Sequence, residues 1–120
     1  MNRRVVVTGM GAVTPVGNSV GESWEALCSG QSGIGPITKF DAAAFDTRIA
    51  GELKGFDPLR YVTKRERRRY DDFIIFALAA AEMAVADAAL PVNGPEADRT
   101  GVIIASAIGG LETIDKEKEA

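Results

Sequence analysis

The chain has 120 residues, of which 46% are hydrophobic and 26% charged, a composition typical of one folded globular domain at most. Its net charge of −3 excludes a global attraction to nucleic acid or to an anionic membrane, so any basic function has to be local. The absence of histidine removes the commonest general base and metal ligand, and the single cysteine excludes an intramolecular disulfide. The short apolar run at the start is not a signal peptide, and we expect a cytoplasmic protein.

Near the start of the chain, a run of three valines predicts a strand over residues 3–8 that is buried on both faces. The glycine-rich stretch at residues 9–17 follows it. The stretch begins like a dinucleotide-binding fingerprint, but Thr14 stands where the third glycine is required. The alternative, which the sequence favours, is a tight turn with close packing of the backbone.

Residues 19–29 are predicted to form a helix, because Ser19 and Glu22 have the spacing of a capping box. Cys28 lies in its last turn, with no histidine in the chain to activate it and no lysine or arginine nearby in sequence. We therefore expect Cys28 to be a small packed side chain rather than a nucleophile. The predicted apolar face of this helix contains Val20, Trp24 and Leu27.

Glycines and prolines punctuate residues 31–59, which indicates irregular but ordered structure with one short strand near residues 48–51. Three phenylalanines are expected to anchor this segment. The chain has no linker composition and no internal repeat, so we predict that residues 1–120 contain no domain boundary.

Basic residues are concentrated between Lys64 and Arg69, where five of the fourteen lysines and arginines lie. If this segment is helical, Arg65, Arg68 and Arg69 share one face. One interpretation is a solvated basic turn that nearby acidic residues partly neutralise. The other is a surface for an acidic protein partner, since the acidic chain and the lack of interleaved aromatic residues argue against nucleic acid.

The stretch at residues 71–90 predicts one long helix. Asp71 and Asp72 can cap its N-terminus, and Pro91 prevents its continuation. Its apolar residues cover more than one stripe, which indicates a largely buried helix. Charged residues such as Glu82 interrupt the apolar run and argue against a membrane span.

A second buried strand is predicted at residues 100–106, followed by a glycine-containing turn and a helix that starts at Leu111. Such glycines either let the backbone approach a ligand or form a tight turn, and the sequence leaves both alternatives open. The order of elements predicts an α/β fold with a parallel sheet covered on both faces. Two central strands are too few for such a sheet, and we expect a longer protein.

Five blocks in order resemble the N-terminal part of β-ketoacyl-acyl carrier protein synthases, the condensing enzymes of type II fatty acid synthesis. These blocks are RRVVVTGMGAVTPVG, WEAL with GQSGI, FD at Phe40-Asp41, KRERRRYDDF and ASAIGGL. The resemblance implies a thiolase-like fold with α-β-α-β-α layers, of which this chain would form an incomplete N-terminal half, and a homodimer. Two other relatives remain as alternatives: a non-catalytic protein resembling a chain-length factor, and a polyketide ketosynthase.

The chemistry that the resemblance implies is decarboxylative condensation of malonyl carrier protein with an acyl thioester. The nucleophilic cysteine and two histidines of such enzymes would lie downstream of residue 120. We therefore expect no catalytic residue in this chain, no activity of the segment alone, and neither a metal nor another cofactor.

Two binding sites carry over from the resemblance. Arg65, Arg68 and Arg69 match the basic positions that dock the acidic helix of acyl carrier protein, which delivers phosphopantetheine-linked acyl and malonyl groups. Ala107 and Ile108 match the border of the acyl-chain pocket, although alanines at positions 105 and 107 replace glycines that are common in this motif. Neither nucleic acid nor a membrane is an expected partner.

Overall fold

A computed structural model describes residues 3–95 and 97–118. The described residues belong to two compact units, one of residues 12–56 and one that combines residues from 1–11 and 57–120. The helices and strands, in chain order, are α1 (Val20–Cys28), β1 (Ile34–Pro36), β2 (Ile49–Gly51), α2 (Lys64–Arg67), α3 (Asp72–Asp87) and α4 (Leu111–Lys118). Two short 3-10 turns, Pro58–Arg60 and Ala97–Arg99, complete the regular structure.

Helix α1 lies in the first unit and confirms the predicted helix. The Ser19 hydroxyl accepts a hydrogen bond from the Glu22 amide at 3.2 Å, as predicted for an N-cap. The Glu22 carboxylate, however, accepts from the amide of Asn18 at 2.8 Å, so only half of the predicted capping box forms.

The apolar face predicted for α1 is largely exposed within this chain. Its buried residues are Ser23 and Ala26, whereas Trp24 is 68% exposed and Leu27 is 62% exposed. Cys28 is exposed as well, so it is not the packed side chain that we predicted. The helical period of the apolar face is correct, but the described residues leave Trp24 and Leu27 largely uncovered.

The segment between α1 and α2 contains two short strands rather than the one predicted. β1 and β2 pair antiparallel, with Gly35 opposite Ala50. β1 was not predicted because Gly35 and Pro36 are turn-forming residues that weaken a strand pattern. The rings of Phe40 and Phe45 stack edge to face with their centroids 5.6 Å apart, yet both side chains remain about half exposed.

Helix α3 lies in the second unit and ends before the predicted residue 90. Ala88 is its C-cap, and Ala89 adopts a left-handed conformation with φ of +47°. Ile75 and Ala79, one turn apart, are fully buried. The other residues of α3 are half-buried or exposed, so the prediction of a largely buried helix is wrong for this chain.

Gly9 and Gly11 lie directly against the backbone of α3, where a Cβ atom at either position would overlap the helix near Ala84 and Ala80. The amide of Met10 donates a hydrogen bond to Asp87 Oδ2 at 2.9 Å. These contacts explain both glycines by close packing, the alternative that the sequence favoured over a phosphate-binding loop.

The two predicted strands at residues 3–8 and 100–106 are wrong for the described structure, since neither is hydrogen-bonded into a sheet there. Val5 is 93% exposed and Ile103 is 98% exposed. A buried strand requires neighbouring strands on its edges and packed layers on its faces. The β-branched pattern of both runs is that of such a strand, but residues 3–95 and 97–118 supply no pairing partner.

Candidate functional site

The arginine-rich segment forms a basic turn, defined here as residues 63–70. Thr63 caps α2 with a complete capping box: its hydroxyl accepts from the Glu66 amide at 3.3 Å, and its own amide donates to the Glu66 carboxylate at 2.8 Å. Beyond α2, the amides of Arg69 and Tyr70 both donate to the Glu66 carbonyl at 2.8 Å. Helix-like hydrogen bonding therefore continues past Arg67 to the end of the basic turn.

Two acidic residues in or next to the basic turn have defined partners within it. Hydrogen bonds from the amide and hydroxyl of Thr63 lower the pKa of Glu66, so its charge stabilises the start of α2. Asp72 forms an ion pair with Arg67, with 3.0 Å between Oδ1 and Nη2. Partial neutralisation by acidic residues, one of our two interpretations, therefore applies to Arg67 and not to the whole segment.

The three arginines predicted to dock a partner are exposed. Within residues 3–95 and 97–118, the side chains of Arg65, Arg68 and Arg69 form no ion pair or hydrogen bond. Their guanidinium groups are thus available to an external anionic partner. The capping role of Glu66 was not predicted, although Thr63 and Glu66 have the spacing of a capping box in the sequence.

A glycine turn, defined here as residues 106–110, leads into α4 and contains the predicted pocket residues. The Ser106 hydroxyl accepts from the amide of Gly109 at 3.0 Å, and Gly109 has φ of +76°. Ala107 is exposed, and Ile108 is 70% exposed. The turn leaves the Ile108 side chain unobstructed by the described residues.

Asp71 has a different role from the predicted capping of α3. It occupies the N-cap position, but its side chain forms no capping hydrogen bond. Its Oδ1 instead accepts a hydrogen bond from the hydroxyl of Thr113 in α4, and its carboxylate contacts Gly110. No local sequence pattern indicates this contact.

Neither a metal centre nor a membrane span is found in the part of the chain that the structure describes. No three histidine, cysteine, aspartate or glutamate side chains there are grouped to hold a metal ion. No helix there is both long enough and apolar enough to cross a bilayer. The longest helix, α3, has 16 residues, which corresponds to about 24 Å.

Comparison with known families decides the affiliation of the chain. Residues 2–120 match the model of the β-ketoacyl synthase N-terminal domain. The chain belongs to the β-ketoacyl synthase family. It is 52% identical over 118 residues to 3-oxoacyl-(acyl-carrier-protein) synthase 2 of Vibrio cholerae, a match that covers 98% of this chain and 28% of the relative. The enzyme of the same name from Synechocystis is 44% identical, with 97% and 28% covered.

Solved ketosynthase structures support the same affiliation. The ishigamide ketosynthase/chain length factor superposes with a TM-score of 0.81 at 32% identity, covering 99% of this chain and 30% of that one. A ketosynthase solved in complex with a type II PKS acyl-carrier protein superposes with a TM-score of 0.73 at 30% identity, covering 99% and 32%. The predicted fold class, part of a thiolase-like α/β fold, is confirmed. The chain spans less than a third of the length of these relatives.

Proposed function

We propose that this chain is the N-terminal portion of a β-ketoacyl-acyl carrier protein synthase that elongates fatty acids. The observation that carries the proposal is the identity of 44–52% with enzymes named 3-oxoacyl-(acyl-carrier-protein) synthase 2, over almost all of this chain. We further propose that the complete protein is a cytoplasmic homodimer, and that both compact units belong to one thiolase-like half.

In the proposed reaction, a cysteine thiolate takes the acyl group from its carrier protein. Malonyl carrier protein then loses CO2, and the resulting carbanion attacks the carbonyl of the acyl-enzyme thioester and displaces the cysteine. The groups for these steps would lie in the remainder of the protein, because this chain contains no histidine and Cys28 has no activating neighbour in sequence. Residues of this chain would bind and orient the substrates.

The proposed docking surface consists of Arg65, Arg68 and Arg69. Three exposed guanidinium groups that form no ion pair with any described residue suit the acidic recognition helix of an acyl carrier protein. Such charge complementarity accelerates encounter and fixes orientation more than it raises affinity. Ala107 and Ile108 are proposed to form one wall of the pocket that receives the acyl chain.

The test of docking is Arg68→Glu in the full-length enzyme. Reversing one charge of the cluster should raise the KM for acyl carrier protein by about tenfold, which corresponds to about 1.4 kcal/mol of binding free energy. The dependence of kcat/KM on salt should weaken as well, because fewer charges attract the carrier. The matched control is Lys54→Glu, which makes the same change of charge at an exposed position outside the basic turn. An unchanged KM and salt dependence in Arg68→Glu would refute the docking role.

A second candidate is a non-catalytic relative that pairs with an active synthase. The similarity to a ketosynthase/chain length factor favours it. The two candidates differ in the remainder of the protein, where a condensing enzyme requires a cysteine and two histidines. Condensation by the purified full-length protein alone would exclude the non-catalytic candidate.

A further inference from the structure

Asp71 lies at the junction between the basic turn and the glycine turn. It follows the basic turn directly in sequence, and its carboxylate contacts the far end of the glycine turn at Gly110 and the Thr113 hydroxyl. Its side chain forms no capping hydrogen bond with the α3 backbone. Among the described residues, the contacts of this carboxylate are therefore with the start of α4.

The contacts of Asp71 and its neighbours constrain the glycine turn at several points. A Cβ atom added to Gly110 would overlap the Asp71 carboxylate, so this carboxylate lies against the backbone of Gly110. The amide of Gly109 is held by Ser106 at the opposite end of the turn. Ile108 lies between these fixed points, so its position depends on them.

The pKa of Lys116 also indicates that Asp71 lies close to α4. The hydrogen bond from Lys116 to Glu112, 2.7 Å long, raises the pKa of Lys116, and the charges of Asp71 and Asp72 add to this effect. The two aspartates therefore act on the same helix. Asp71 also accepts a hydrogen bond from this helix, through the Thr113 hydroxyl.

We propose that Asp71 is a positioning residue that tethers the glycine turn and thereby sets the acyl-chain selectivity of the pocket bordered by Ile108. This inference rests on the proposed function, since it requires Ile108 to line an acyl pocket. The carboxylate fixes the turn through Thr113 and Gly110. Loss of the tether lets Ile108 shift, so chains of different length are discriminated less sharply.

The experiment compares Asp71→Ala and Thr113→Val in the full-length enzyme. Thr113→Val removes the hydroxyl while keeping the shape of the side chain. For each variant, kcat/KM is measured with carrier-bound acyl chains of eight and fourteen carbons, chosen as probes of about twofold different length. In both variants, the ratio of the two kcat/KM values should move about threefold closer to one. The double variant should change this ratio no more than either single variant does. The KM for the carrier protein should not change.

Hydrogen exchange provides a readout that does not depend on activity. Both variants should speed amide exchange in peptides that cover residues 106–114. Asp46→Ala is the matched control, because it removes an exposed carboxylate outside residues 57–120 that forms no hydrogen bond or ion pair within the described residues. Thr113→Ser, which retains a hydroxyl, should restore both exchange and selectivity.

Each contrary result has a distinct meaning. Unchanged exchange in Asp71→Ala, or an equal effect of Asp46→Ala, would overturn the tether. Faster exchange with an unchanged chain-length ratio would overturn the positioning role and leave Asp71 with a purely structural one. A full-length wild-type protein that does not condense acyl groups would overturn the proposed function and the selectivity role together, and the exchange data would still report on the tether.

Discussion

Ala89 ends α3 in a conformation that L-amino acids rarely adopt, with φ of +47°. The amides of Ala89 and Leu90 donate to the carbonyls of Ala86 and Val85, each at 3.1 Å, which is the hydrogen-bond pattern of a Schellman motif. Glycine is the usual residue at this position because it has no Cβ. The left-handed conformation costs an L-residue roughly 1–2 kcal/mol.

Ala89→Gly should therefore stabilise the full-length protein by about 0.5–1 kcal/mol, because relief of the left-handed strain exceeds the added chain entropy of glycine. Ala81→Gly makes the same substitution in the exposed interior of α3 and should destabilise by about 1 kcal/mol. Thermal unfolding of both variants measures the difference. A lower Tm for Ala89→Gly would contradict the assigned role of this residue.

Residue-level predictions from sequence succeeded where the cause was local. Ser19 caps α1 as its type and spacing predict, and Gly9 and Gly11 are explained by close packing. Asp71 was assigned correctly to the first residues of the long helix, but its partner Thr113 is 42 positions away. Local propensity contains no information about such a contact.

At the scale of elements, hydrogen bonds to the carboxylate of Glu52 continue the pairing of β1 and β2 beyond the strand ends. Glu52 accepts hydrogen bonds from the amide of Thr38 at 3.0 Å, from its hydroxyl at 2.6 Å and from the amide of Lys39 at 3.2 Å. The hydroxyl and amide of Thr38 are the main cause that lowers the pKa of Glu52 below its ordinary value of 4.5. The ionised form is thus favoured in the folded state.

A carboxyl group whose pKa is lower in the folded state than in the unfolded state stabilises the fold. This stabilisation is present above the unfolded-state pKa and is lost as the pH falls through the folded-state pKa. The contribution of Glu52 should therefore be complete at neutral pH and decline once the pH falls below 4.5. Glu52→Gln should lower the Tm at pH 7, and the gap from wild type should shrink at low pH. Glu25→Gln is the control, because no hydrogen bond of that carboxylate is found in the described residues. A gap that does not depend on pH would contradict the linkage.

The sequence predicted an element well when residues within that element stabilise it, and poorly when distant residues do. α1 and the start of α4 at Leu111 were predicted closely because caps and helical periodicity are encoded within a few residues. The end of α3 was not, since it depends on the conformation of Ala89 rather than on Pro91. β1 was missed because a short strand is stabilised by its partner more than by its own residues.

At the scale of the whole molecule, the sequence predicted burial that this chain cannot provide. The runs at residues 3–8 and 100–106 have the composition of central strands, yet Val5, Ile103 and their neighbours are exposed. The fold class was nevertheless predicted correctly, through the resemblance of ordered sequence blocks to a known family. A strand is buried only when other layers of the protein cover its sheet. An apolar sequence pattern can therefore predict burial even where the described residues do not supply those layers.

These exposed runs lead to a prediction for the 120-residue chain produced by itself. Unpaired backbone groups and exposed β-branched side chains favour association with other chains. Exposed apolar faces such as that of Trp24 and Leu27 should bind the dye ANS, and thermal unfolding should show no cooperative transition. The full-length protein is the control and should unfold cooperatively with little dye binding. A monomeric 120-residue chain with a sharp calorimetric transition would contradict this prediction, because such a transition requires a packed core that the exposed valines and isoleucines do not form.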